Sequence, residues 1–254
     1  MRVVIKIGTS TLAHSTGRLN IRRMEELVKV ISDLKNAGHE IILVSSGAIG
    51  MGVGKLMLKA RPTDMPTKQA AAAVGQCELM YTYDRYFNKY GHTTAQILLT
   101  GEDLEDPVRR QNVENTMSRL LELGALPIIN ENDTIATSEI AVGDNDTLAA
   151  MVGVFAGAEL VILLSDIEGL YTADPHKDPT AQLIPLVEEI TPQIEALAAG
   201  KGSELGTGGM ETKLRAAKIV LEAGAQLVIA QGARASVLYD IMEGQPAGTR
   251  FKRA

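Results

Sequence analysis

The sequence predicts a three-layer α/β/α sandwich around a mostly parallel central sheet, and three observations lead there. Apolar, β-rich runs recur along the whole chain, at Val3–Ile7, Ile41–Val44, Ala95–Leu99, Leu126–Ile129, Leu160–Leu164 and Leu227–Ala230. They are continuous rather than alternating, which suits strands buried on both faces of a parallel sheet. Helical patterns separate them, as parallel crossovers require. Polar and glycine-rich clusters follow several of the runs, at the carboxyl ends where open parallel sheets bind ligands.

The opening segment, MRVVIKIGTS, reads as the first strand and not as a secretory signal, because Lys6 interrupts its short apolar run. Asn20 is placed to cap a helix reaching about Ala37, with Gly38 just past its end. The second strand leads into Ser45-Ser46-Gly47-Ala48-Ile49-Gly50, a tight strand-to-helix turn. Met65-Pro66 opens a long helix to about Lys89, with Gly91 beyond. A helix over Gln111–Leu123 separates the third and fourth strands, and the fourth ends in Asn130-Glu131-Asn132-Asp133. Next comes a helix over Asp146–Ala156. Gly157 then marks a lobe boundary inside one domain spanning 1–254, with an N-lobe of about 1–157 and a C-lobe of about 158–254. The segment Gly169–Pro192, rich in Asp, Pro and Thr, is expected to hold turns and short strands. A helix over Met210–Ala223 and the last strand complete the pattern.

Composition narrows the function. At 254 residues the chain is long enough to bury a substantial core. No apolar run approaches the roughly 18 residues needed to cross a bilayer, so no membrane partner is expected. A net charge of -6 with 4% aromatic residues and no Trp leaves neither basic stripe nor stacking platform for nucleic acid. His14, His39, His92 and His176 are scattered without metal-ligand spacing, and a protein-ligated metal is not expected. Cys77, the one cysteine, excludes an internal disulfide and reads as a core thiol in an alanine-rich helix. These features point to a cytoplasmic protein.

Two motifs point to phosphate. Gly206-Thr-Gly-Gly-Met-Glu-Thr-Lys213 opens onto a helix, where free N–H groups and the dipole favour an anion. Lys213 in the first turn opposes that dipole and makes sense if a more highly charged anion, such as a phosphate chain, is held there. Lys6 sits among apolar neighbours on a buried strand, next to Gly8, and an unpaired lysine there is costly. Ser46 and Gly47 end the second strand and are site candidates, whereas Gly52 and Gly54 read as packing residues. Ser165 and Asp166 end the fifth strand. In Val142-Gly-Asp-Asn-Asp146 one polar residue serves as an N-cap, leaving two to bind an ammonium or orient lysines. The Walker A, dinucleotide and EF-hand spacings are all absent.

With these pieces in order, the chain resembles the amino acid kinase family over nearly its whole length. The resemblance rests on VIKIGTS (4–10), VSSGAIGMG (44–52), INENDT (129–134), VGDNDTLAA (142–150), LLSDIEGLYTADP (163–175) and GTGGMETK (206–213). It closely resembles the members that phosphorylate the side-chain carboxylate of L-glutamate ahead of proline synthesis. The resemblance implies ATP as phosphoryl donor, with Mg²⁺ carried by the nucleotide. Lys6 and Lys213 would flank the transferring phosphoryl, with Asp146 orienting them. Gly8, Ser165, Asp166, Thr207, Gly208, Gly209 and Met210 would complete the ATP site, in the C-lobe. Ser46, Gly47, Asp133 and Asn145 would hold glutamate, in the N-lobe. L-proline as feedback inhibitor and a homo-oligomer, dimer or tetramer, are implied in the same way. Many relatives carry a further C-terminal PUA domain, which is expected to be missing from a chain ending at Ala254. Other acceptors known in the family remain open: N-acetylglutamate, aspartate, carbamate or a nucleoside monophosphate. So does a non-catalytic amino-acid sensor on the same fold, whereas a dehydrogenase is disfavoured by the failed glycine fingerprint.

Overall fold

Each of the six apolar runs forms a strand in the computed structural model, which describes residues 1–14, 18–136, 144–175, 177–198 and 209–253. The strands are β1 (Arg2–Ile7), β2 (Glu40–Ser45), β3 (Thr94–Leu99), β4 (Leu126–Glu131), β5 (Leu160–Ser165) and β7 (Gln226–Gln231). Two short strands join them, β6 (Leu186–Val187) and β8 (Thr249–Phe251). The sheet order is β3-β4-β2-β1-β5-β7-β8-β6. All pairings are parallel except β7 with β8. The chain leaves β1 toward β2 on one side, while β5 leads to β7 on the other. The crevice at the carboxyl ends of β1 and β5 is therefore the switch point where such sheets bind ligands.

Side chains on β1 alternate between two cores. Val3, Ile5 and Ile7 pack with α2 (Ile21–Asn36), α4 (Met65–Asn88) and α10 (Val237–Met242). Val4 packs with α6 (Pro107–Glu122), α7 (Asn145–Phe155) and α9 (Met210–Glu222). These are the outer layers of the sandwich. Shorter helices fill the connections: α1 (Thr9–Leu12), α3 (Ala48–Lys55), α5 (Gly101–Glu105) and α8 (Pro192–Leu197).

Helix starts follow their caps. Asn20 accepts the Arg23 N–H at 3.2 Å, Asp64 accepts that of Thr67 at 2.9 Å, and Asp144 accepts that of Thr147 at 2.7 Å. Gly38 (φ 91°) and Gly91 (φ 76°) sit just beyond α2 and α4, in the left-handed region that ends helices. Of the glycines at 52 and 54, Gly52 serves packing as expected, whereas Gly54 is exposed and does not. A Cβ on Gly52 would lie 1.8 Å from the Ala71 carbonyl oxygen, and one on Gly75 would lie 1.8 Å from that of Ala48. Backbones of α3 and α4 thus touch directly.

Three further expectations change. Cys77 is exposed rather than a core thiol. The buried stripe of α4 runs through Ala72, Gln76, Leu79 and Tyr83, and Cys77 lies on the opposite face with Ala73, Tyr81 and Asp84. Helix α6 begins at Pro107 and not at Gln111, because Asp106 caps it by accepting from Val108 and Arg109 N–H. Residues 48–55 form a full helix where a tight turn is expected. The segment 169–192 has the expected character, with an isolated Tyr171–Leu183 bridge and β6; His176 lies outside the described residues.

Candidate active site

Lys6 is the penultimate residue of β1 and faces the α7–α9 layer, the side that Val4 also faces. Its Nζ lies 2.8 Å from Asp146 Oδ1. Lys213, in the first turns of α9, brings its Nζ within 3.0 Å of the other carboxylate oxygen, Oδ2. The three side chains are drawn from one strand and two helix N-termini. All are buried: Asp146 is 1% exposed, Lys213 3% and Lys6 9%. Burial raises the pKa of the Asp146 carboxyl, but the two ammonium groups outweigh it and hold the group below the ordinary carboxylate value. Within this trio one carboxylate stands between two lysines in a site of low dielectric, so the trio itself carries net positive charge. That charge suits a polyanion.

Thr212 completes the cluster. Its Oγ1 stands 2.9 Å from Asp146 Oδ2 and 2.8 Å from the Gly209 carbonyl oxygen, so its single proton is shared between two acceptors. It ties α9 to α7 and pins the start of α9. The sequence names Thr212 only as part of the Gly206–Lys213 motif and not for a contact with Asp146.

Gly209 is the N-cap residue of α9, and Met210 its first helical residue. Their placement at a helix N-terminus beside Lys213 fits phosphate oxygens. Gly206, Thr207 and Gly208 lie outside the described residues, as do Val142 and Gly143. Gly8 follows β1 with extended backbone (φ -73°, ψ 156°) and is the N-cap residue of α1. At the end of neighbouring β5, Ser165 Oγ donates to Asp166 Oδ1 at 3.0 Å. Ser165 and Asp166 therefore share the carboxyl edge of the sheet with Lys6.

A second cluster lies one peptide bond away. Asn145, next to Asp146, uses its side-chain Nδ2 to reach Ser46 Oγ at 2.7 Å, Asn130 Oδ1 at 3.0 Å and the Ser45 carbonyl oxygen at 3.3 Å. Gly47 adopts φ 109° between β2 and α3, a left-handed turn that lets the chain present Ser46 at the strand end. Asn130 belongs to this cluster, although sequence reasoning named it only as part of a strand-end run. Asp133 sits in the turn after β4, where the Ile135 and Ala136 N–H groups both bond to the Asn132 carbonyl. Burial raises the Asp133 pKa, and the charge of Arg61 opposes that rise only partly. No hydrogen bond joins Asp133 to Asn145 or Ser46 among the described residues.

A separate open groove between α2 and α10, bordered by Arg22, Arg23, Lys29 and Arg234, contains none of these groups. At the switch point, by contrast, a buried lysine pair adjoins a cluster of neutral amides and a hydroxyl.

The amino acid kinase family profile matches residues 1–231. The chain is 49% identical over 254 residues to a glutamate 5-kinase of Listeria innocua, covering 98% of this chain and 92% of that one. It is 53% identical over 249 residues to a glutamate 5-kinase of Clostridium tetani, covering 98% and 93%. Among solved structures, carbamate kinase from Giardia lamblia bound to AMP-PNP superposes with a TM-score of 0.71 over 100% of this chain and 98% of that one. At 16% identity that likeness speaks for the fold alone. The chain belongs to the amino acid kinase family.

Proposed function

We propose that this chain transfers the γ-phosphoryl group of ATP to the γ-carboxylate of L-glutamate, giving γ-glutamyl phosphate and ADP, the first step from glutamate toward proline. The observation that carries the reading is the bracketing of Asp146 by Lys6 and Lys213 at the switch point, in a chain about half identical to glutamate 5-kinases.

A carboxylate oxygen of glutamate attacks the γ-phosphorus; the new P–O bond forms as the bond to the ADP oxygen breaks. The nucleophile is already ionised at neutral pH, so no general base is needed. Asp146 is not free to act as one, because both its oxygens are occupied by ammonium groups. The task left to the protein is positioning and charge neutralisation. Lys6 and Lys213 supply positive charge on either side of the transferring group, and Asp146 fixes where those charges stand. The N–H groups at the start of α9, with Gly8, cradle phosphate oxygens. Ser165 and Asp166 line the nucleotide side; Thr207 and Gly208, which lie outside the described residues, keep the nucleotide role that the family resemblance implies. Bound ATP would bring Mg²⁺ with it, and the charge of the ion would screen the phosphates. Ser46, Gly47 and Asn145 hold the acceptor, and Asp133 meets its α-ammonium.

The relation to proline synthesis makes L-proline a feedback inhibitor acting at or near the glutamate site, since both share an α-amino acid head group. A cytoplasmic homo-oligomer, dimer or tetramer, is the assembly expected of the family. Among the described residues no helix is long and apolar enough to cross a membrane.

The direct test is incubation with ATP, Mg²⁺ and L-glutamate in hydroxylamine, which traps the acyl phosphate as a hydroxamate. We expect hydroxamate from L-glutamate and much less from N-acetylglutamate or aspartate. Equal rates with N-acetylglutamate would overturn the acceptor assignment, and absence of ATP turnover with every acceptor would favour a sensor.

A further inference from the structure

Asn145 does not stand alone. Its Nδ2 donates to Asn130 Oδ1 at 3.0 Å, Asn130 Nδ2 donates to Gln76 Oε1 at 3.0 Å, and Gln76 Nε2 donates to Gln96 Oε1 at 3.0 Å. Four amides in series thus run from the acceptor cluster, through β4 and α4, to the exposed edge strand β3. Gln76 and Asn130 are buried, at 8% and 3% exposure.

The chain has one direction, and the backbone sets it. The Glu131 N–H, which can only donate, meets Asn130 Oδ1 at 2.9 Å. The Ser45 carbonyl, which can only accept, meets Asn145 Nδ2 at 3.3 Å. With Oδ1 of Asn130 so engaged, its Nδ2 must face Gln76, which must present Oε1. Gln76 Nε2 must then face Gln96, which must present its own oxygen. At the other end Asn145 can approach Ser46 only as a donor, so Ser46 Oγ accepts at 2.7 Å. The Ser46 hydroxyl proton is thereby directed away from Asn145, free to be given to an anion.

We propose that this one-way amide chain sets the Ser46 hydroxyl as a donor to the acceptor's carboxylate, and that Gln76 and Gln96 are positioning residues for acceptor binding. The proposal rests on the glutamate reading above for the identity of the acceptor. Gln76 and Gln96 act through Asn130 and Asn145 and touch no reacting atom. A buried amide with only one orientation open to it cannot rotate to suit an incoming ligand, so the pocket is arranged before substrate arrives.

Two variants test both the role and the direction. Gln76→Met keeps the side-chain volume and removes the acceptor for Asn130 Nδ2. Gln96→Glu replaces the exposed terminus with a side chain that only accepts, as the direction requires. We expect Gln76→Met to raise the KM for glutamate about five- to tenfold, the net worth of roughly one hydrogen bond. The KM for ATP should hold. Gln96→Glu should leave both within about twofold, its charge being exposed and screened. In protein labelled with ¹⁵N-asparagine, Gln76→Met should shift the side-chain amide signals of Asn130 and Asn145, and Gln96→Glu should leave them in place. An unchanged KM for glutamate in Gln76→Met, or equal rises for both substrates, overturns the positioning role. A rise in Gln96→Glu as large as in Gln76→Met overturns the direction. If the wild-type protein makes no hydroxamate from glutamate, the proposed function fails by itself, and the asparagine signals then decide on the chain alone.

Discussion

Lys6, from the middle strand of the sheet, holds its Nζ 2.8 Å from Oδ1 of Asp146, the second residue of α7. Lys213 takes the other oxygen at 3.0 Å. The shared carboxylate keeps two buried ammonium groups apart and aimed, while cancelling only one of their two charges. The proposed roles of the lysines in the reaction, and the stability of this part of the fold, both rest on that geometry.

Replacing Asp146 by Asn should therefore cost twice. Removing one partner from a buried pair leaves uncompensated charge and costs about 3–5 kcal/mol. Turnover should fall with it, because the lysines lose their guide. ATP brings negative charge to the same place, so saturating nucleotide should raise the melting temperature of Asp146→Asn more than that of wild type. The pH dependence has a definite sign. The Asp146 pKa is depressed, so its contribution to stability is present above the ordinary value of 3.8 and is lost as pH falls below it toward the depressed value. Urea midpoints against pH should fall more steeply for wild type than for Asp146→Asn in that window. Parallel curves there would show that the ion pairs do not stabilise the fold.

Lys6→Ala and Lys213→Ala should each lower kcat far more than they raise the KM for glutamate. Each removes charge needed most in the transition state, a loss on the order of 10²–10³ by comparison with deleting one oxyanion-hole donor. Steady-state kinetics of the two variants checks this, and retention of more than half of wild-type kcat by either would remove that lysine from the mechanism.

Asp133→Asn separates binding from turn formation. If Asp133 meets the α-ammonium of glutamate, losing a charged hydrogen bond of roughly 1.5–3 kcal/mol raises the KM for glutamate about 10- to 150-fold. The KM for ATP should barely move. If Asp133 serves only the turn after β4, melting temperature falls and both KM values suffer alike. The raised pKa adds a second readout. An ammonium favours the ionised carboxyl, so glutamate binding at mildly acidic pH should release a proton, measurable by calorimetry in buffers of different ionisation enthalpy.

Gly75→Ala should disturb the acceptor corner from a distance. Its Cβ would meet the Ala48 carbonyl oxygen at 1.8 Å, forcing apart α4 and the helix that follows Ser46 and Gly47. Gly91→Ala meets no atom within 4 Å and carries only the strain of φ 76°, about 1 kcal/mol. Thermal melts should show a far larger loss for Gly75→Ala, together with weaker glutamate binding. Similar losses in both would mean that α3 and α4 can slide apart without cost.

The sequence by itself determined the class of fold and the chemistry of its strand ends. Continuous apolar runs announce strands buried on both faces, and Asn20 and Gly38 bracket a helix through local hydrogen bonding and backbone freedom that no distant contact need supply. Lys6 was legible because a charge inside such a run demands a partner. Only the tertiary structure decided which partner. Asp146 and Lys213 stand 140 and 207 residues from Lys6 (146 − 6 and 213 − 6), and their meeting depends on α7 and α9 packing on one face of the sheet. The exposure of Cys77 escaped the sequence because α4, alanine-rich and only weakly amphipathic, does not declare its buried side until Tyr83 and Leu79 find a core. The amide chain from Ser46 to Gln96 was beyond reach for the same reason. Asn and Gln have no fixed meaning in sequence, and their orientation is set by neighbours that only the folded chain brings within 3 Å of one another.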